Sequence, residues 1–414
     1  MTGIDRRHFL AGVGTAAASV GLGSVAEAET SNPSPGEIVA AGRLLGQVPF
    51  DGRHQAGILT PRQDQATFIA LDSLCPNRPA LAVALKSLTA RIRQLTTGGP
   101  AGQAPVDAPP PDSGTIGPVI LPDNLTVTVA FGASLFDERY GLARQRPAGL
   151  IAMPRFPNDD IDPARSGGDL LLQICADHRD TVVHGVREIM RVLDGAFAVR
   201  WTIDGFQGEN RGPTQRSSPR NLFAFRDGTA NPDVANPDLM QQLVWVNGGH
   251  GPTWTANGTF QIIRTIRMHV EFWDRVGLEE QQNMIGRVRT TGAPLGGTNE
   301  FQDPRYDLDP HGRRIPLNAH IRIANPRTAP TADQRIVRRS YSYHRGVDSA
   351  GTLDEGLIFV AFNQDPARQY ATIQKRLSAE PMTDYITPVG GGYFFAPPGT
   401  GGQRGWVGAS LLSS

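Results

Sequence analysis

The sequence predicts an α+β fold built as two similar halves. The chain has 414 residues, of which 39% are hydrophobic, and short β-branched runs alternate along it with amphipathic helical segments. This length is enough for two domains, and the hydrophobic content suits an ordinary buried core. Lys plus Arg and Asp plus Glu both total 40, so the chain has no net positive field and is not expected to bind nucleic acid.

The N-terminus has the elements of an export signal in the usual order. Arg6 and Arg7 precede a mildly apolar run at residues 11–22, and Ala26-Glu27-Ala28 follows as a cleavage site. This arrangement resembles a twin-arginine signal, and the alternative is an arginine-rich start without a signal role. No stretch reaches the roughly 18 apolar residues that a membrane span needs. We therefore expect the twin-arginine machinery to export the chain to the periplasm or the exterior, with cleavage near Ala28.

The first domain is predicted at residues 51–205, after the signal at 1–28 and a leader at 29–50. One helix is indicated because Leu81, Leu85, Leu88 and Ile92 recur at helical spacing. β-Branched and aromatic runs indicate strands, and a stretch dense in Gly and Pro indicates a flexible loop. The elements are a strand at 54–59, helices at 63–74 and 79–95, the loop at 96–117, strands at 125–131 and 169–177, a helix at 182–193 and a strand at 198–203.

The second domain is predicted at residues 206–414. Its elements are a strand at 259–267, helices at 270–276 and 279–287, strands at 319–324, 338–343 and 356–361, a helix at 367–377 and a strand at 392–397. The first half follows the order strand-helix-strand-strand-helix-strand, which is the ferredoxin-like plan, and the second half looks alike. No residue-level repeat supports a duplication, so the prediction of two ferredoxin-like domains depends on element order and on the family resemblance below.

The segment 221–232 combines apolar and charged residues in an unusual way. Phe223 and Phe225 precede Asp227, so a carboxylate lies at the edge of an apolar environment, as chemistry at a site often requires. Asp-Gly is also the commonest turn dipeptide, so a plain turn is the alternative. The segment resembles the Gly-x-x-Asp-Gly motif of dye-decolorizing peroxidases, which are haem enzymes with an aspartate as distal base. Ala224 stands where that motif has its first glycine.

Two further segments resemble the same family, in the family's order. His320 lies in the apolar run 315–327, where a core histidine is the alternative, and the resemblance makes it the proximal ligand of the haem iron. Arg338 begins an Arg-Arg-x-Tyr segment, which elsewhere would be an edge-strand solubility device. The resemblance makes Arg338 the distal arginine that stabilises charge on the departing oxygen, and Asp227 the group that moves the proton.

The resemblance also assigns roles to four other residues. Asp384 would accept a hydrogen bond from the proximal histidine, and the alternative is a carboxylate at a turn or helix start. Leu357 and Phe359 would form the apolar distal wall, although a plain core strand fits equally well. Arg289 would reach a haem propionate.

The resemblance covers residues 54–398 and implies a haem peroxidase of the dimeric α+β barrel type. It implies one non-covalent haem b per subunit, and Cys75 and Cys175 form no C-x-x-C attachment motif. Hydrogen peroxide would be the oxidant and aromatic molecules such as dyes or phenols the one-electron reductants, and a homodimer is compatible with this class. An aspartate base predicts dye oxidation that peaks at roughly pH 4 to 5. The alternatives are a deferrochelatase, which releases iron from haem and leaves the porphyrin intact, and a non-catalytic haem carrier.

Overall fold

An antiparallel sheet organises the chain in a computed structural model that describes residues 46–208, 218–248 and 251–413. All of these residues belong to one unit, Pro35–Ser414. The strands are β1 (Gln65–Ser73), β2 (Gly99–Pro100), β3 (Val119–Ile120), β4 (Thr126–Gly132), β5 (Leu170–Ala176), β6 (Phe197–Phe206), β7 (Thr259–Met268), β8 (Val337–Arg338), β9 (Tyr341–Val347), β10 (Leu353–Asn363) and β11 (Ile386–Ala396). Strands β2 and β3 form a separate small hairpin.

Eight of these strands close into a ring, because β7 pairs with both β10 and β11. The first half contributes neighbours in the order β4-β5-β1-β6, and the second half contributes β9-β10-β7-β11. Each half therefore has its own four strands in the spatial order 2-3-1-4, which is the ferredoxin-like arrangement. The prediction of an α+β fold with two ferredoxin-like units and antiparallel sheets is confirmed. The halves meet where Phe206 faces Ser342 and where Phe394 faces Gly132.

Side chains fill the interior of the ring, as expected for eight strands. Phe68 and Tyr341, from the two halves, are in edge contact with ring centroids 5.9 Å apart. Phe362 and Phe394 belong to the same buried cluster and are fully buried. The core of the ring is thus shared by both halves of the sequence.

Helices cover the outer face of the sheet. The helices are α1 (Arg78–Thr97), α2 (Arg179–Val192), α3 (Pro237–Leu243), α4 (Val270–Trp273), α5 (Leu278–Ile285), α6 (His320–Ala324), α7 (Thr372–Leu377) and α8 (Ala409–Leu412). Helix α1 starts where the Asn77 side chain accepts a hydrogen bond from the Ala80 amide at 2.9 Å. The four residues that predicted it, Leu81, Leu85, Leu88 and Ile92, are at most 1% exposed and pack on the sheet. This prediction is confirmed.

Two predictions at the start of the first domain were wrong. Residues 54–59 form turns, and the helix predicted at 63–74 is strand β1. Strand β1 lies between β5 and β6, and residues Ala66–Leu71 are buried without a break. A strand that is covered on both faces loses its alternation of polar and apolar residues, so periodicity could not separate it from a buried helix. The predicted order of elements in the domain still holds, because β1 occupies the position of the predicted first strand.

The Gly/Pro-rich loop is anchored near its middle. Helix α1 extends to Thr97, strand β2 follows it almost directly, and residues 101–118 connect β2 to β3. Asp112 is buried and accepts a hydrogen bond from Arg91 of α1 at 2.9 Å, while the His184 ring nitrogen Nε2 lies 3.0 Å from the same carboxylate. The buried carboxylate ties the loop to both helices of the first half.

In the part of the chain that the structure describes, no helix is both long and apolar enough to cross a membrane. The predicted signal at residues 1–28, and residues 29–45 of the predicted leader, lie outside the described residues.

Candidate active site

A cavity lies on the outer face of the second half of the sheet. Its floor comes from Ile266 of β7, Leu357 of β10 and Pro388 of β11, which are register partners on neighbouring strands. Helices α6 and α7 and the segment around Asp227 form the other walls. The structure brings together five residues that the sequence singled out: Asp227, His320, Arg338, Leu357 and Phe359 all line this cavity.

Asp227 and Arg338 form an ion pair in this cavity. Arg338 Nη2 lies 2.7 Å from Asp227 Oδ1, and Asp227 is 8% exposed. Asn231 holds the two segments together, since its side chain donates to the Arg338 carbonyl at 2.8 Å and accepts from the Arg338 amide at 3.1 Å. Asn231 is not among the predicted site residues, although it follows Asp227 in the same segment. A carboxylate beside a fixed guanidinium can move a proton while the cation stabilises negative charge.

The backbone at Ala224 explains why the family motif has a glycine at this position. Ala224 has φ of +66°, in the left-handed region that favours glycine. The residues on either side, Phe223 and Phe225, are buried against Trp273, with ring centroids 4.3 Å and 6.2 Å away. Packing of the two phenylalanines fixes the turn, and the Cβ of Ala224 is tolerated within it.

His320 lines the same cavity and is the first residue of α6. The prediction of a strand at 319–324 was wrong, because this short apolar run forms one helical turn. His320 Nδ1 lies 2.7 Å from Glu380 Oε2, whose side chain is 3% exposed. Within the described residues Nε2 makes no hydrogen bond, so it is the nitrogen available for a metal. Desolvation lowers the pKa of His320 and the Glu380 carboxylate raises it, with a net increase.

Two predicted site residues lie elsewhere. Asp384 is exposed at the end of the turn Pro381–Asp384, so the carboxylate that contacts His320 is Glu380, just before that turn. Arg289 does not line the cavity, because its guanidinium donates to Gln281 at 3.1 Å and its amide to a neighbouring side chain. Arg287 lines the cavity instead and is 4% exposed. Burial lowers the pKa of Arg287.

The polar groups around the cavity suit a flat apolar molecule that carries carboxylates. Two acidic residues line the cavity, Asp227 and Glu380, and each of them already has a partner. Six arginines also line it: Arg226, Arg264, Arg287, Arg335, Arg338 and Arg376. Three buried donors of lining residues have no hydrogen-bond partner within the described residues: the Nε atoms of Arg226, Arg264 and Arg335. Of these, Arg226 Nε lies 3.9 Å from Glu300 Oε2 in an ion pair. Buried donors without acceptors are costly. Haem, with two propionates on an apolar ring, fits this set.

Comparisons with known proteins identify the family of the chain. The family models described as Dyp-type peroxidase, N-terminal and C-terminal, match residues 55–207 and 218–401. The chain is 46% identical over 411 residues to a deferrochelatase from Escherichia coli O157:H7, across 99% of this chain and 97% of that protein.

Solved structures of the same class also superpose on the chain. A DyP-type peroxidase from Streptomyces coelicolor has a TM-score of 0.80 at 34% identity, covering 89% of this chain and 98% of that chain. Ferric DtpA from Streptomyces lividans has a TM-score of 0.79 at 34% identity with the same coverage of both chains. Both halves of the sequence and the whole described fold are thus accounted for, and the chain belongs to the Dyp-type peroxidase family, whose members are haem-binding oxidoreductases.

Proposed function

We propose that this chain binds one non-covalent haem b through His320, reduces hydrogen peroxide and oxidises aromatic molecules such as dyes and phenols by one-electron steps. The observation that carries the proposal is the 2.7 Å contact between Asp227 and Arg338 in the cavity that His320 also lines. A protein that only carries haem has no need of a carboxylate and a guanidinium held together there.

Each residue has a separate task in this proposal. Haem, when bound, supplies the iron that binds peroxide and holds the oxidising equivalents. Asp227 takes a proton from one peroxide oxygen and returns it to the other, so that water leaves, and a group in this role contributes about 10²–10⁴-fold. Arg338 stabilises the negative charge that develops on the leaving oxygen. Glu380 accepts a hydrogen bond from Nδ1–H of His320, which fixes the ring and makes it a more basic ligand.

The rate of peroxide reacting with resting haem, followed by stopped flow, tests this proposal. Asp227→Asn should lower that rate by about 10²–10⁴-fold, because an amide cannot accept the proton. The exposed Asp384, in the same half of the chain, provides the matched control, and Asp384→Asn should react like the wild type. Equal rates for all three proteins would remove Asp227 from the mechanism. The same measurement against pH tests the nature of the base, because a carboxylate should keep the rate high at roughly pH 4 to 5, where a histidine base would already be protonated. The expected optimum of dye oxidation at roughly pH 4 to 5 is measured separately, with the dye assay.

Release of iron from haem is the second candidate function. The observation that favours it is the name deferrochelatase carried by relatives at 46% identity, and the same cavity would bind the haem substrate. Oxidation of a dye panel should be assayed beside iron release from haem under anaerobic reductant. Iron release with intact porphyrin and negligible dye oxidation would replace the peroxidase proposal. Retained haem with neither activity would support a carrier.

We also propose export by the twin-arginine machinery with cleavage near Ala28, domains at residues 51–205 and 206–414, and a homodimer as the assembly to test. Substitution of Arg6 and Arg7 by Lys should leave the protein in the cytoplasmic fraction. Light scattering of the mature protein would measure its assembly.

A further inference from the structure

One loop of the first half of the chain contacts the segments that carry the active-site residues. This loop, residues 60–64, runs into β1, and the buried Arg339, next to Arg338 in the chain, binds it. The Arg339 guanidinium donates to three oxygen atoms of the loop, which belong to Thr60, Pro61 and Gln63. Arg339 does not line the active-site cavity, whereas Arg338 does. The two adjacent arginines therefore have different contacts, since one faces the cavity and the other joins the two halves.

Arg62 of the same loop binds the second half in return. Its Nη1 donates to the carbonyl oxygen of Ser340, two residues after Arg338, at 3.2 Å. Its Nη2 lies near Gly228, the residue after Asp227, because a Cβ built on Gly228 would be 3.7 Å from this atom. Arg62 is partly buried and does not line the active-site cavity. The guanidinium therefore lies between the segments that carry Asp227 and Arg338, outside the cavity lining.

Arg62 and Asp227 also interact through their charges. Burial lowers the pKa of Arg62, and the charge of Asp227 is the largest effect that opposes this decrease. The attraction between two charges is mutual, so the Arg62 cation also favours the ionised form of the Asp227 carboxylate. A carboxylate must be ionised to accept a proton, so a neighbouring cation extends its use as a base into acid.

Other charged side chains also lie near Asp227: Arg338 of β8, His320 of α6, and Arg226 and Arg287 of the cavity wall. Arg226 forms an ion pair with Glu300, with 3.9 Å between Nε and Oε2. In the proposed reaction, Arg338 also has to stabilise charge on the leaving oxygen. Arg62 differs from these groups because it belongs to the first half and does not line the cavity. Its charge can therefore be removed without changing the cavity wall.

We propose that Arg62 is a positioning residue of the active site, which keeps Asp227 ionised from outside the cavity and so extends the working range of this base into acid. This inference rests on the proposed peroxidase function. It gives the first half of the chain a part in the chemistry, although every predicted catalytic and ligand residue belongs to the second half.

Cyanide binding to the haem-loaded protein tests the inference without turnover. Hydrogen cyanide binds ferric haem as the anion and leaves its proton on the base beside it, so affinity falls when that base is already protonated. Titrations followed by the Soret band measure the dissociation constant against pH. In Arg62→Gln, the pH below which binding weakens should rise by about 1 pH unit, so that binding in acid is about tenfold weaker than in the wild type. Asp227→Asn should remove this pH dependence, which assigns it to Asp227.

Two further variants separate the charge of Arg62 from its hydrogen bond. Gln207 donates to the same Ser340 carbonyl and carries no charge, so Gln207→Leu is the matched control and should keep the wild-type pH dependence. Arg62→Lys keeps the charge and should restore most of the wild-type behaviour. The inference is overturned if Arg62→Gln binds cyanide with the wild-type pH dependence, if Gln207→Leu shifts it equally, or if Arg62→Lys behaves like Arg62→Gln.

The inference and the proposed function fail separately. The rate of peroxide reacting with resting haem, measured against pH in the same variants, should show the same shift in Arg62→Gln. If Asp227→Asn reacts with peroxide like the wild type, the proposed function fails, while the cyanide titrations still decide whether Arg62 acts on Asp227. If Asp227→Asn is slow and Arg62→Gln keeps the wild-type pH dependence in both measurements, the inference alone fails.

Discussion

The guanidinium of Arg338 lies 2.7 Å from the carboxylate of Asp227. The Asn231 side chain forms hydrogen bonds with both the amide and the carbonyl group of Arg338. The pair is therefore held in place before any peroxide arrives. A fixed cation beside a fixed base costs no reorganisation when charge develops.

Arg338→Leu should lower the rate at which peroxide reacts with resting haem by about 10²–10³-fold, because the leaving oxygen loses its stabilising charge. Arg338→Lys should recover part of this loss, since an ammonium keeps the charge without the planar fork. Stopped flow measures the rates, and the Soret band should show that haem content is unchanged. A wild-type rate in Arg338→Leu would contradict the assigned role.

Glu380→Gln should leave haem bound and raise the reduction potential of its iron. The carboxylate 2.7 Å from His320 Nδ1 makes the imidazole electron-rich and favours the oxidised metal, and an amide does so less. Spectroelectrochemistry measures the potential. Asp384→Asn is the control, because the family resemblance assigns this role to Asp384. A potential that moves in Asp384→Asn and not in Glu380→Gln would reverse the assignment.

In His320→Ala, haem retention itself should collapse.

Ala224→Gly should stabilise the protein by about 0.5–1 kcal/mol. Alanine at φ of +66° is strained, whereas glycine adopts this conformation freely, although glycine also gains freedom in the unfolded chain. Ala235 is exposed and has no positive φ, so Ala235→Gly should give no gain. Denaturant unfolding measures both changes in the free energy of unfolding. A destabilised Ala224→Gly protein would show that packing around the Cβ outweighs the strain.

Glu188 of α2 also anchors the Gly/Pro-rich loop, because its carboxylate accepts a hydrogen bond from the Ser113 amide at 2.7 Å and pairs with Arg91. This contact should weaken in acid. Burial raises the pKa of Glu188, but hydrogen bonds from Ser113 and the charge of Arg91 outweigh it and lower the pKa to about 2. A carboxyl with a lowered pKa stabilises the fold above its unfolded value, near 4.5, and this stabilisation disappears as the pH falls towards 2.

Glu188→Gln should therefore lower the free energy of unfolding at pH 6 and reduce its decline between pH 5 and pH 2. Guanidinium unfolding at several pH values within this window measures both effects. Glu279 is exposed, and Glu279→Gln should follow the wild-type pH dependence throughout. If Glu188→Gln loses stability with acid as steeply as the wild type, another group controls the acid response.

The sequence predicted those elements that bury one face and expose the other, because their apolar residues recur at a regular spacing. Helix α1 is an example, since its apolar stripe is regular and its start is capped by Asn77. Strand β1 was missed because both of its faces are buried, which removes the alternation. The order of elements, together with the family resemblance, nevertheless predicted the ferredoxin-like arrangement of both halves.

Residues of the site that lie in local sequence motifs were predicted correctly as lining one cavity. The carboxylate that contacts His320 was missed, because the backbone of a short turn determines which side chain faces the histidine. Asp227, His320 and Arg338 do meet in one cavity, and their catalytic and ligand roles stay predictions. Glu380 and Asp384 flank the same short turn, and only the folded backbone determines which carboxylate faces His320. The sequence gives no periodic signal for this choice.

The closed ring of strands also affects how the chain is made. The first half ends with β4 and β6 as open sheet edges, and these edges find their partners only in β11 and β9 of the second half. Open edges are templates for pairing with other chains. At roughly 5–20 residues per second, a ribosome needs tens of seconds to deliver the missing strands. During that interval the open edges of the nascent first half can pair with other chains. A truncated message that ends between the two halves would therefore yield a protein prone to aggregation.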